Sequence, residues 1–202
     1  MKIMMHPDTK LDWISEEKGL GVVATKKIPK GTITWVQDEL DRVFQPDEPE
    51  NFNSIAQEQL EKYSFRNSVG EHILCWDIAK FVNHSFKSNC LSTSYNFEVA
   101  IRDIEVGEEL TDDYGYLNLS ESFTPEDEGM ARKVVKPDDT LELYAEWDKA
   151  LEKLFPVIGQ LDQPLFELIS EKVKMEIKKI ATGEKQMLST KNLYFQPEKS
   201  RI

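Results

Sequence analysis

Up to about residue 118, the apolar positions come in short β-branched and aromatic runs broken by Gly, Pro and Asn. Gly21-Val22-Val23-Ala24-Thr25, Thr32-Ile33-Thr34-Trp35-Val36, Phe97-Glu98-Val99-Ala100-Ile101 and Glu109-Leu110-Thr111 predict short strands separated by turns. Helical interruptions are predicted around Ile55 to Tyr63 and around Trp76 to Val82. Thr124-Pro125-Glu126-Asp127-Glu128-Gly129 reads as an acidic linker, after which the period changes. Leu143, Tyr144, Trp147, Leu151, Leu154 and Phe155 recur at helical spacing, and Pro156 is expected to end that helix. A second helix is predicted from Asp162 as N-cap, with Pro164 in its first turn. It continues through Phe166, Ile169, Val173, Ile177 and Ile180 to a stop at Gly183. Lys178 and Lys179 fall in its last turn, where positive charge complements the helix dipole. The fold class is therefore mainly β with α additions. A strand-rich domain is expected over residues 1–118 and a helical extension over 119–202.

Composition narrows the class without naming it. The chain has 202 residues, 40% of them hydrophobic, enough for a core. No apolar run reaches the roughly 18 residues needed to cross a bilayer. Met1-Lys2-Ile3-Met4-Met5-His6 meets Pro7 and Asp8 too soon for a secretory signal, so an intracellular protein is expected. The two cysteines, Cys75 and Cys90, agree as buried, reduced thiols. A formal net charge of −12 disfavours direct nucleic-acid binding and suits either a basic partner or simple solubility. Lys191-Asn192-Leu193-Tyr194-Phe195-Gln196 is similar to a tag-protease site, but lysine stands where that site has glutamate and Pro197 follows. It is read as native sequence, with no function drawn from it.

Three segments carry candidate chemistry. Lys18-Gly19-Leu20-Gly21 places two glycines just before a strand, allowing a turn and the close approach of a ligand to main-chain amides. Alone it is a turn; it lacks the third glycine of a dinucleotide fingerprint. Gly31, in Ile28-Pro29-Lys30-Gly31-Thr32, marks a turn into the next strand. The second segment is Phe81-Val82-Asn83-His84-Ser85-Phe86-Lys87-Ser88-Asn89-Cys90. His84 and Cys90 lack the paired spacing of a zinc site, and Ser85 adjoins His84 without a nucleophile elbow. The third segment runs from Ile101-Arg102-Asp103-Ile104 through Gly107-Glu108-Glu109-Leu110-Thr111 to Tyr114-Gly115-Tyr116. Tyr114 ends a strand-like run before a glycine, so its hydroxyl is a candidate to face a pocket.

In this order the three segments resemble the SET domain of protein-lysine methyltransferases, over roughly residues 14 to 118. The resemblance implies a β-clip-like fold of short curved sheets with a pseudoknot that gathers the second and third segments, against the usual rule that chains do not thread loops. It implies S-adenosyl-L-methionine as cofactor, with Lys18, Gly19, Leu20 and Gly21 against its methionine end and Asn83 and His84 holding its amino group and adenine. It makes Tyr114 both a cofactor-site residue and the leading catalytic candidate, with Tyr116 matching a second tyrosine of some members. The partner implied is a basic, lysine-bearing protein. The compartment implied is cytoplasmic, or nuclear in a eukaryote.

Departures from the family pattern shape these expectations. Phe86 stands where many members have a zinc-binding cysteine, and no cysteine follows Cys90, so no metal is expected. The C-terminal extension is then expected to close or flank the lysine channel, with Tyr144, Trp147 and Phe123 as candidates. Asp112 replaces an aromatic, Asn89 stands where proline is usual, and Gln37 lies near a channel-tyrosine position. A catalytically inactive SET fold serving as a binding or scaffolding module is the alternative.

Overall fold

A computed structural model describes residues 5–196. Met1 to Met4 of the N-terminal stretch and Pro197 of the tail lie outside the described residues. The strands are β1 (Thr9–Ser15), β2 (Gly19–Ala24), β3 (Ile33–Val36), β4 (Arg42–Phe44), β5 (Ser64–Arg66), β6 (His72–Leu74), β7 (Asn83–His84), β8 (Cys90–Ser92), β9 (Phe97–Ala100) and β10 (Glu109–Asp112). The α-helices are α1 (Ser54–Tyr63), α2 (Asp139–Glu152), α3 (Phe155–Ile158) and α4 (Glu171–Ala181). The strands form three small sheets, in the orders β1-β2-β10-β7, β3-β9-β8 and β4-β6-β5. The fold is SET-like: short sheets followed by helices.

The first sheet positions the site. β2 and β10 run antiparallel, pairing Val23 with Glu109 and Val22 with Leu110. On its other edge β10 runs parallel to β7, pairing Thr111 with Asn83 and Asp112 with His84. Parallel neighbours need a long crossover, and residues 85–108 supply it. The crossover is fastened where it leaves and returns, because Ser85 N–H donates to Asp112 O (3.0 Å) and Asn89 N–H to Thr111 O (3.2 Å). The Asn89 side chain adds two bonds to the same strand, donating to Glu109 O (2.7 Å) and accepting from Thr111 N–H (2.8 Å). Asparagine is therefore the tie that holds the second and third motifs together.

Four strand expectations coincide with β2, β3, β9 and β10, and the helix expected around Ile55 is α1, capped by the Asn53 side chain on Ala56 N–H (3.0 Å). Three boundaries differ. Around Trp76 to Val82 there is only a 3-10 turn, Ile78–Phe81, capped by Asp77. Pro156 does not stop a helix but lies in the first turn of α3, where its missing N–H costs nothing. The last helix starts at Glu171, capped by Ser170 on Val173 N–H, rather than at Asp162. The reason is Gln163. Its side chain accepts from Ile33 N–H (2.8 Å) and donates to Gly31 O (2.8 Å) and Ile158 O (3.0 Å), pinning residues 159–165 as a loop against β3. The helix ends as expected, with Gly183 at φ 76°.

Strands and C-terminal helices share a core. Ile33, Leu91, Phe97, Val99 and Tyr116 pack with Trp147, Leu151, Leu154, Phe155, Ile158 and Ile177 in one buried cluster. A second cluster joins Met5, Val22, Ile28, Trp35, Ile104 and Leu110 with both cysteines. Each large apolar side chain so buried stabilises by roughly 1.5–3 kcal/mol against exposure, which offsets the entropy of ordering many short strands.

Candidate active site

The glycine motif has two separate local causes. Gly19 has φ 73°, a left-handed conformation that turns β1 into β2. Gly21 is needed for space. A Cβ there would lie 2.5 Å from Ile14, 2.6 Å from the Glu109 carboxylate and 2.9 Å from the Asn83 amide. The close approach it permits brings three motifs to one place. The Asn83 amide donates to Leu20 O (3.0 Å) and to Glu109 Oε1 (2.8 Å), and Lys18 Nζ pairs with Glu109 Oε2 (3.0 Å). Lys18, Gly21 and Asn83 thus converge on the Glu109 carboxylate, and the Asn83 amide links it to Leu20 O.

His84 lies one residue along β7 and is buried. The Tyr114 backbone N–H donates to His84 Nδ1 (3.2 Å), so the ring proton belongs on Nε2. Burial is the largest influence on this imidazole and lowers its pKa, keeping the ring neutral at pH 7. Nε2 is buried and has no partner among the described residues. Aromatic rings surround it: Phe86 at 4.6 Å, Tyr114 at 5.5 Å and Phe123 at 5.6 Å between centroids.

Phe123 immediately precedes the segment that reads as a linker, and this stretch of chain is tightly held. Phe123 and Val135 form an antiparallel bridge. The Glu128 carboxylate accepts from Phe86 N–H (2.9 Å), and Lys87 Nζ donates to Glu128 O (2.7 Å). Arg132 pairs with Asp113 (2.6 Å) and Asp139, and stacks over the Phe86 ring at 4.9 Å. Sequence reasoning missed Arg132, whose partners lie on either side of the linker.

Tyr114 also faces a cavity of about 160 Å³. Its hydroxyl donates to Val82 O (2.6 Å), and its pKa is pushed up by burial, then by Asp112, Glu109 and Glu98. Tyr116 lines the same cavity but is buried, its hydroxyl accepting from Ser92 N–H (3.0 Å) and donating to Asp112. Gln37 lines the wall. Tyr144, Trp147 and Phe123, the residues expected to close a lysine channel, lie away from this cavity. None lines it: Trp147 packs edge-on against Tyr116 at 5.1 Å, and Phe123 packs against His84. The C-terminal segment instead contributes Leu193, whose carbonyl accepts from the Asn118 amide (2.8 Å). The Asn118 carbonyl oxygen in turn accepts from Phe195 N–H (2.8 Å). Glu98, which lines the cavity beside Asp112, carries no motif and was missed. Its only sequence signal is a charge inside an otherwise apolar strand.

The arrangement is two-sided. The glycine turn, Asn83 and His84 form one cluster and the cavity another, and Tyr114 belongs to both: its N–H and its ring meet His84, and it also lines the cavity. Residues 19–115 match the family described as the SET domain. The chain is a SET domain protein. SET domains are generally protein-lysine methyltransferases that use S-adenosylmethionine. No curated protein matches the chain. Among the described residues, no group of three or more His, Cys, Asp or Glu side chains could hold a metal ion. Among the described residues, no helix is long and apolar enough to cross a membrane.

Proposed function

We propose that this SET domain protein transfers a methyl group from S-adenosyl-L-methionine to the side-chain amine of a lysine in a basic protein. The observation that carries the reading is the placement of Tyr114 between the His84 cluster and the cavity. Its N–H is on His84 Nδ1 and its ring lines the cavity. A transfer enzyme needs one residue at the junction of its donor and acceptor sites, because orienting the two reactants supplies much of the rate.

The residues present fit the cofactor. The opposed charges of Lys18 and Glu109 complement a zwitterionic amino-acid end. The unpartnered His84 Nε2 offers a donor among the Phe86 and Phe123 rings, a setting suited to a purine. When bound, the cofactor supplies a methyl group already activated by its sulfonium. Tyr114 then orients the amine rather than deprotonating it, because a hydroxyl whose pKa is raised is a poor base. In this reading residues 1–118 form the catalytic domain and 119–202 the flanking extension, and the compartment is cytoplasmic or nuclear.

The test is methyl incorporation into a panel of basic proteins with labelled cofactor. Tyr114→Phe should lower incorporation at least a hundredfold while cofactor affinity by calorimetry changes less than about threefold. Undiminished incorporation would remove Tyr114 from the chemistry. No cofactor binding by the unmodified chain would instead support the scaffold alternative.

A further inference from the structure

The turn that carries Tyr114 is held from outside the three motifs. Tyr114–Tyr116 form a 3-10 turn with Asp113 as N-cap, one Asp113 carboxylate oxygen accepting from Gly115 N–H (2.9 Å). The other oxygen accepts from Arg132 Nη1 (2.6 Å). Arg132 Nη2 donates to Asp139, the first residue of α2, on the same oxygen that accepts from Lys136 N–H (2.7 Å). One residue further along α2, the Thr140 hydroxyl donates to Gly115 O (3.0 Å). Both polar groups of the Gly115 backbone are therefore tied to the extension, the N–H through Asp113 and Arg132 and the carbonyl through Thr140. Asp113, Asp139 and Thr140 are buried.

A second, independent observation converges on the same guanidinium. Gly115 has no positive φ, so backbone freedom is not what the glycine supplies. A Cβ at this position would lie 2.7 Å from Arg132 Nη2, 3.0 Å from Asp139 Cβ and 3.2 Å from the Asp113 carboxylate. The glycine after Tyr114 is needed for room, and Arg132 makes the closest approach to it. The same guanidinium lies over the Phe86 ring (4.9 Å), Phe86 packs edge-on against His84 (4.6 Å), and His84 Nδ1 accepts from Tyr114 N–H (3.2 Å). Arg132 is thereby connected to the backbone on both sides of Tyr114. It reaches Gly115 through Asp113 and the Tyr114 amide through Phe86 and His84.

We propose that Arg132 is a positioning residue: by holding Asp113 and Asp139 on one planar fork it fixes the turn that aims the Tyr114 ring. A guanidinium suits this role because its arms stand in a rigid plane and serve two carboxylates at a set separation. A lysine ammonium is instead a point charge on a flexible stem. As a statement about catalysis the inference rests on the methyltransferase reading, but as a statement about the turn it is testable alone.

Removing the cation outright would leave two buried carboxylates uncompensated, so the test uses the full chain and two variants that keep it. Arg132→Lys retains the charge and loses the fork, whereas Gly115→Ala crowds the flexible end of Arg132. Amide exchange followed by NMR reads the turn. In each variant, exchange at residue 115 should quicken about tenfold relative to Ile28 and Ile104, whose mutual backbone hydrogen bonds (2.9 Å each) lie in the core. Global destabilisation would quicken all three alike. With labelled cofactor and a basic-protein panel, kcat should fall about tenfold while cofactor affinity by calorimetry changes less than about threefold. Unchanged relative exchange in a folded variant would overturn the proposal, and so would quicker exchange with an unchanged kcat. Gly115→Ala carries the same comparison should Arg132→Lys not fold. An unmodified chain that methylates no protein in the panel would refute the methyltransferase reading instead, and quicker exchange at residue 115 would still establish the tether.

Discussion

Gly19 and Gly21 belong to one motif, yet different physics holds each in place. A Cβ at Gly19 would meet nothing within 4 Å, so its requirement is the positive φ alone, which asparagine tolerates. At Gly21 the backbone is ordinary and the obstacle is Ile14, Glu109 and Asn83. Gly19→Asn should therefore cost less than about 1 kcal/mol, whereas Gly21→Ala should cost about 1–3 kcal/mol through overpacking. Urea unfolding midpoints check this, and equal costs would refute the division of roles. The motif's spacing was legible in the sequence. Its meaning was not, because the atoms that crowd Gly21 come from residues 14, 83 and 109.

Among the elements, β10 matters most, since it lies between β2 and β7 and delivers Tyr114 to the site. Hydrophobic alternation makes the strand readable, but its position between two others depends on the crossover and on Asn89. Asn89→Ala leaves Thr111 N–H and Glu109 O without their side-chain partners. Buried groups left unpaired cost about 1–3 kcal/mol each, so a loss of roughly 2–6 kcal/mol is expected. It should appear as a lower urea midpoint with an unchanged slope. A midpoint within experimental error of the parent would mean that backbone pairing alone holds the strand. The misplaced start of α4 has the same origin. Asp162 and Pro164 favour a helix start locally, but the Gln163 side chain finds three buried backbone partners across the chain.

At the scale of the whole molecule, buried titratable groups pull stability in opposite directions with pH. His6, His72 and His84 all have pKa values lowered, foremost by burial. A depressed histidine contributes stability above the unfolded value of about 6.5 and loses it as pH falls through the window below. Buried acids act with the other sign. Asp41 is raised to about 6, and Glu98 and Asp112 are raised as well. Their contribution is full below the unfolded carboxyl range near 4 and is lost as pH rises through each folded value. Asp112→Asn removes one such penalty and keeps an oxygen for the Tyr116 hydroxyl. Its melting temperature should exceed the parent's at pH 7.5, with the difference vanishing near pH 4. A constant difference across that range would show that burial does not raise the Asp112 carboxyl above its unfolded value.

The resemblance of three ordered motifs pointed to the family, and local alternation and short spacings were enough for four of the strands and α1. The tertiary structure decided the rest. It brought Glu109 to the glycine turn, turned an apparent acidic linker into the wall beside His84, and gave the cavity Leu193 where the helices were expected. It also placed Glu98, Asp112 and Trp35 together in the lining of one cavity. Those outcomes turn on contacts between residues far apart in the chain, and charge and burial acquire chemical meaning only once such neighbours are known.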